Sequence, residues 1–197
     1  MRPFSIAMPK PPPTLSPEPS ALSLGLPPIL GPAPRVLLLG SMPGAESLRQ
    51  QRYYAHPRNA FWPILCDWLG VPTSMPYAER CAALTAAGVA VWDVLASCHR
   101  PGSLDAAIRR SDTVANDLEG LLHRHVTLRQ VACNGQTAAQ LYERQRPQWP
   151  HAPRAATLPS TSPAHAAMSL ADKRRHWHEW LDGACPRPSV TPARQSS

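Results

Sequence analysis

The stretch GSMPGAESLRQQRYYAHPRNAFWPIL, residues 40–65, concentrates groups that could do chemistry within a few turns of chain. Gly40, Ser41, Met42, Pro43 and Gly44 form a loop with little side-chain bulk, so its main-chain N–H and C=O groups can approach a ligand. Tyr53 and Tyr54 offer aromatic faces, His56 a titratable ring and Asn59 an amide. Such parts suit a flat, polar heterocycle: a ring stacks on its face, main-chain groups read its edge, and an amide orients water. Plainer roles stand beside these. Asn59 precedes a helical pattern and could simply cap it, and either tyrosine could be ordinary packing.

Other chemistries fit less well. GSMPG is not G-x-G-x-x-G and no acidic residue follows at ribose-binding distance, which argues against a dinucleotide site. The G-K-[ST] ending of a P-loop and the G-x-S-x-G elbow of a serine hydrolase are both missing. His56, His99 and Asp105 are scattered on loops, and His56, Cys98 and His99 lack the local pairing of a zinc site. The five cysteines, Cys66, Cys81, Cys98, Cys133 and Cys185, are odd in number and include no C-x-x-C pair. They read as reduced, mostly buried thiols of a cytoplasmic protein.

Four apolar runs supply the elements that would position this loop. RVLLLG (Arg35 to Gly40) is apolar on both faces, as a strand covered by helices on both sides must be. GVAVWDVLA (Gly88 to Ala96), LRQVACNG (Leu128 to Gly135) and the weaker RAATLPS (Arg154 to Ser160) repeat the pattern. Helical spacing lies between them, with Val114, Leu118, Leu121 and Leu122 on one face and Ala138, Leu141 and Tyr142 on another. A last segment, SLADKRRHWHEWL, opens with a capping box and aligns Leu170, Trp177 and Leu181. Alternating strands and helices predict an α/β fold, a three-layer α/β/α sandwich with a central, mainly parallel, four-stranded sheet. Ligands bind beyond the carboxyl ends of such strands, so GSMPG, ASCHRPGSLD, NGQT and PSTSPAH become the informative loops.

Composition sets the outer limits. Eleven of the 25 prolines fall in the first 34 residues, so residues 1–34 read as a disordered, Pro-rich arm, and residues 184–197 as a disordered tail. The folded domain is then expected at residues 35–183, which still carry 16 basic and 12 acidic groups. A basic body suits nucleic acid or another anionic partner, although arginine-rich composition alone has other sources. No apolar run reaches the 18 residues of a membrane span, and MRPFSIAMPK lacks the apolar core of a secretory signal.

Five blocks in order, GSMPG, YYAHPRNAFW, VWDVLASCHRPGSLDAAI, CNG and LPSTSPAHA, resemble the uracil-DNA glycosylase superfamily. Within it the hypoxanthine-DNA glycosylase group, family 6, is most similar, with mismatch-specific uracil glycosylases as cousins. The resemblance implies a monofunctional glycosylase that hydrolyses the N-glycosidic bond of hypoxanthine or uracil in damaged DNA after base flipping. It implies no metal or cofactor and a monomer. On this pattern Gly40, Ser41, Met42, Pro43 and Gly44 line the base pocket with His56 and Ser97, and Tyr54 is the stacking ring. Ser160, Thr161, Ser162 and Pro163 form the loop that wedges into DNA. His165 ends that loop as a further DNA contact or a bystander. Mismatch-specific relatives carry Asn where this chain has Met42, and methionine cannot orient water. The resemblance therefore moves the water-orienting role to Asn59, and leaves a non-catalytic damage-binding protein of the same fold as the alternative. A hydrolase of free nucleosides is a second rival.

Overall fold

The computed structural model describes residues 22–100, 105, 108, 112–149 and 151–185. Its centre is a four-stranded parallel sheet in the order β3-β2-β6-β7, built from Val36–Gly40 (β2), Val89–Asp93 (β3), Gln130–Asn134 (β6) and Ala155–Leu158 (β7). All five residues of β2 are buried, as expected for a central strand apolar on both faces. The sheet divides the core in two. On one face Val36, Leu38, Val89 and Val91 pack with Phe61, Ile64, Trp68, Trp177 and Leu181. On the other, Leu37, Leu39 and Ala90 pack with Leu118, Leu121, Ala138 and Tyr142. Helices cover both faces, so the fold is the expected α/β sandwich.

The helices begin and end where local chemistry dictates. Ala45–Gln50 (α1) follows GSMPG directly. Phe61–Leu69 (α2) tolerates Pro63 because it lies in the first turn, and stops at Gly70, which takes the left-handed φ of 69°. Tyr77–Ala86 (α3) leads into β3. Asp117 caps Leu118–Arg124 (α4), its carboxylate accepting from the Gly120 N–H at 2.8 Å. Gln136–Gln145 (α5) follows β6, and Leu170–Ala184 (α6) starts at Ser169, whose hydroxyl oxygen accepts from the Asp172 N–H at 3.1 Å. Among the described residues no helix is long and apolar enough to cross a membrane.

A second, three-stranded antiparallel sheet corrects the sequence reading in three places. The run Gly88 to Ala96 is not one strand: it breaks at Val94, and Leu95–His99 (β4) leaves the central sheet. β4 is the middle strand of this sheet, pairing with Leu22–Leu24 (β1) on one side and Thr113–Ala115 (β5) on the other. Val114 is therefore on a strand, 59% exposed, and does not line the α4 face. Residues 22–34, expected within a disordered arm, belong to the folded body: Leu26 is buried, and Ile29 exchanges two 2.9 Å backbone hydrogen bonds with Val91, covering the free edge of β3. At the other end α6 runs to Ala184 and Cys185 is buried, two residues beyond the expected boundary. Residues 1–21 and 186–197, where the remaining arm and tail were expected, lie outside the described residues. Leu170 also departs from expectation, 46% exposed at the start of α6, while Trp177 and Leu181 are buried as their spacing required.

Candidate active site

At the carboxyl end of the sheet the last residues of the four strands line up. Asp93 pairs with Gly40, and on the other flank Asn134 pairs with Leu158. Gly40 is the gap in this row. A Cβ there would overlap the Asp93 carboxyl oxygen and come within 3.1 Å of the Tyr54 hydroxyl, so only glycine leaves space for both.

GSMPG, which follows, is tied down on every side. The Gly40 and Ser41 carbonyls accept from the Val94 and Leu95 N–H groups at 2.9 and 3.0 Å. The buried Ser41 hydroxyl donates to Asp105 Oδ1 at 2.7 Å. Arg100, itself buried, donates to the Pro43 carbonyl and sits 3.5 Å from Asp105. Met42 points into a small apolar cluster with Leu95 and Cys98. What Met42 offers a ligand is its backbone alone.

Burial raises the pKa of both carboxyls in this region. Burial, and then the neighbouring Asp105, push Asp93 up to about 8 against the opposing pull of Arg100. Burial also raises Asp105, while the Ser41 hydroxyl and Arg100 hold it back. Sequence reading missed Asp93, because it lies inside the run GVAVWDVLA, expected to be one strand; the lone carboxyl interrupting that apolar run was the one usable signal. Asp105 was noticed without a role. Residues 101–104 of the same loop lie outside the described residues.

The segment from Tyr53 to Asn59 is built differently. Tyr53 is core: it is buried, its hydroxyl donates to the Leu26 carbonyl and its N–H donates to the Tyr77 hydroxyl at 2.9 Å. Tyr54 takes a φ of 54°, unusual for a residue with a Cβ, and this turns its ring onto Phe61 with centroids 3.8 Å apart and planes 16° from parallel. Phe61 is in turn held edge-on by Trp62 and Trp177. Phe61 was not singled out from sequence, yet it backs the ring that was. Tyr54 stays partly exposed although its hydroxyl oxygen is buried and has no hydrogen-bond partner. His56 shapes the turn: Nδ1 accepts from the Arg58 N–H at 3.2 Å and its carbonyl from the Asn59 N–H at 2.8 Å.

Asn59 carries both of its possible roles. Its Oδ1 accepts from the Phe61 N–H at 3.0 Å, steadying the start of α2, and its amide nitrogen makes no hydrogen bond among the described residues. It also lines a groove of about 360 Å³ together with Arg58, Thr161, Ser162, Pro163, His165 and Lys173. The described lining holds three basic residues and no acidic one.

The loop on the far side of the groove is fastened through Thr161. Its N–H and hydroxyl meet the Asn134 amide at 2.9 and 2.8 Å, and its carbonyl accepts from the Ala60 N–H at 3.0 Å. Asn134, quoted in CNG but given no role, thus anchors Thr161, which lines the groove. Ser160 packs over Gly135, which has a φ of 92°, and its hydroxyl accepts from the Ser162 N–H. Ser162 accepts from the Ala164 N–H in the same way. Pro163 and His165 are exposed, and the His165 carbonyl accepts from the buried Lys173 ammonium at 2.7 Å. Burial lowers the Lys173 pKa.

The structure therefore brings Asn59, Thr161, Ser162, Pro163 and His165 to one groove, and sets the Asp93 carboxyl and the Tyr54 hydroxyl close together over Gly40. Ser97 stands apart: it is buried in the small sheet between Leu24 and Val114, and no hydrogen bond among the described residues joins it to either place. No cluster of three or more His, Cys, Asp or Glu among the described residues could hold a metal.

This geometry has relatives. Two proteins named hypoxanthine DNA glycosylase, from Methanosarcina acetivorans and Methanosarcina barkeri, are 34% and 33% identical over 102 residues. Each match spans 51% of this chain and 63% of the relative. A solution NMR structure of a candidate uracil DNA glycosylase from Methanosarcina acetivorans superposes with a TM-score of 0.71 at 29% identity, covering 83% of this chain and 99% of that one. The sequence profile of the uracil DNA glycosylase superfamily matches residues 27–182, a span that contains the groove residues together with Gly40, Tyr54 and Asp93, and the chain belongs to that superfamily.

Proposed function

We propose that this chain is a monofunctional DNA glycosylase that removes a deaminated base, hypoxanthine or uracil, from DNA. One observation carries the reading: the Asn59 amide faces a groove lined by basic residues, and hydrogen bonding and ring stacking connect it through Phe61 to Tyr54, which remains partly exposed. A phosphate backbone fits a groove with Arg58, Lys173 and His165 and no acid, while Ser162 and Pro163 stand at its rim to enter the duplex. A flipped base would stack on Tyr54, worth about 1–3 kcal/mol, which offsets part of the few kcal/mol that unstacking costs.

The chemistry asks little of a strong base. The C1′–N bond breaks with its electron pair going to the base, the sugar becomes oxocarbenium-like, and water oxygen bonds to C1′ while its proton passes to the solvent or the departing base. An amide suffices to hold that water, and aligned backbone dipoles stabilise the leaving base. Met42, buried among Leu95 and Cys98, takes no part in orienting it. The names of the two hypoxanthine DNA glycosylases support this choice of base, as does the matching superfamily.

The deciding experiment incubates the protein with duplexes carrying hypoxanthine, uracil, xanthine or mismatched thymine, then treats them with alkali. Strand scission at hypoxanthine or uracil is expected. Oligonucleotide that is bound yet intact throughout would make the protein a damage-binding module, the role that the buried Met42 favours. Cleavage of free nucleosides alone would remove DNA as the substrate.

A further inference from the structure

The carboxyl at the end of β3 has no task in the reaction as described above. Asp93 is 3% exposed, and its Oδ2 is buried without a hydrogen-bond partner. Across the Cα of Gly40 lies the Tyr54 hydroxyl, also buried and also without a partner. A buried polar oxygen left unpaired costs about 1–3 kcal/mol, and a left-handed backbone at a residue with a Cβ costs about 1–2 kcal/mol more. Three unfavourable terms thus meet above one glycine. Strain gathered in this way persists where a bound state relieves it.

The surroundings say which motion would relieve it. Phe61 lies flat against one face of the Tyr54 ring at 3.8 Å, so the ring cannot retreat in that direction. The movement left to it is a tilt that carries the hydroxyl over Gly40. Two polar side chains lie within its reach there: Asp93, whose carboxyl lies against the same side of Gly40, and Asn134, whose amide nitrogen gives one hydrogen to Thr161 and has a second directed to the phenol.

We propose that Asp93 is a positioning residue for the base-stacking ring: when a flipped base lands on Tyr54, the Asp93 carboxyl and the Tyr54 hydroxyl close a hydrogen bond over Gly40 that fixes the tilt of the ring. This rests on the reading of Tyr54 as the stacking ring. The groups that face Asp93 are the Tyr53 and Tyr54 phenols from the loop before α2, and Asp105 and Arg100 from the segment after β4. Burial and Asp105 keep the carboxyl protonated at neutral pH, so it has a proton to donate to the phenol oxygen. A ring held by Phe61 at its face and by Asp93 at its tip presents one geometry to the base, and the ordering cost is met before the chemical step.

The test is single-turnover cleavage of the preferred duplex by the full chain and by Tyr54→Phe, Asp93→Ala, Asp93→Asn and the Tyr54→Phe/Asp93→Ala double variant. Removing either half of the bond should slow cleavage about tenfold, and the double variant should be no slower than the worse single one. Asp93→Asn keeps a donor of the same size and should return to within about threefold of wild type. The loss should fall on the maximal rate, leaving the dissociation constant for abasic product unchanged. Additive losses, or Asp93→Asn as slow as Asp93→Ala, would overturn the proposal. Tyr54→Phe guards against misfolding of the Asp93 variants, because it keeps the ring and the packing; wild-type cleavage by Tyr54→Phe alone sinks the inference. Wild-type protein that cleaves none of the duplexes sinks the proposed function and this inference together.

Discussion

Gly40–Gly44 and Tyr53–Asn59 are two halves of one connection, and they do opposite work. In the first half the side chains turn inward and the carbonyls are taken: Met42 is in the core, Ser41 is bonded to Asp105, and Gly40, Ser41 and Pro43 each give a carbonyl to another segment. In the second half Tyr53 is core, the positive φ of Tyr54 lays its ring on Phe61 at the edge of the core, and Asn59 stands on the groove wall. A glycine-rich loop after the first strand of a parallel sheet invites the conclusion that it holds the chemistry. Here it is the floor, and the polar segment beyond α1 carries the groups that would meet substrate. Damage to the first half should therefore appear as lost stability, and damage to the second as lost rate.

The largest effect expected is at Met42. Met42→Ala would leave a cavity beside Leu95 and Cys98 and cost about 2–5 kcal/mol, read as a lower denaturation midpoint. An unchanged midpoint with abolished cleavage would reverse the division between the halves. Next is Asn59→Ala, expected to slow single-turnover cleavage by on the order of a hundredfold, or about 2.7 kcal/mol. Because Asn59 also steadies the first turn of α2, Asn59→Asp is the control that keeps an acceptor for the Phe61 N–H and hence the wild-type melting temperature. Cleavage by Asn59→Ala within threefold of wild type would reduce the residue to a cap.

The smallest effect, per unit of pH, belongs to Asp93. The folded chain keeps the proton up to about pH 8, whereas the unfolded chain releases it near 3.8. Between those values the native state binds more protons, so stability falls as pH rises, by at most about 1.4 kcal/mol per unit, and levels off above. Urea midpoints measured from pH 5 to 8 would show this slope in the wild type and its removal in Asp93→Asn. A slope that survives the substitution would place the proton elsewhere.

The central sheet was legible because all four strands are short apolar runs, which only a sheet covered on both faces would accommodate. The loops of interest followed from topology, and Asn59 and Thr161 do meet at one groove. What could not be read was set by distant partners. Leu22–Leu24 lies in a Pro-rich context and becomes a strand only because β4 is there to pair with it. Val114 fell into helical register with Leu118 by coincidence of spacing, and pairing with Ser97 decides otherwise. Asp93 looked like an interruption in an apolar run; its importance comes from the missing side chain of Gly40 beside it and from a tyrosine some forty residues earlier in the chain.

Thr161 makes the groove a lever. Its carbonyl grips the first turn of α2 at Ala60, and its N–H and hydroxyl grip Asn134 at the tip of β6. A duplex that leans on Ser162 and Pro163 therefore leans, one residue away, on a central strand buried at three of its five positions. Such a rim does not yield, so in any encounter the softer body must bend, and duplexes already loosened by a mispair are the softest. Selection among sites would then begin with mechanics, before any atom of the base is read.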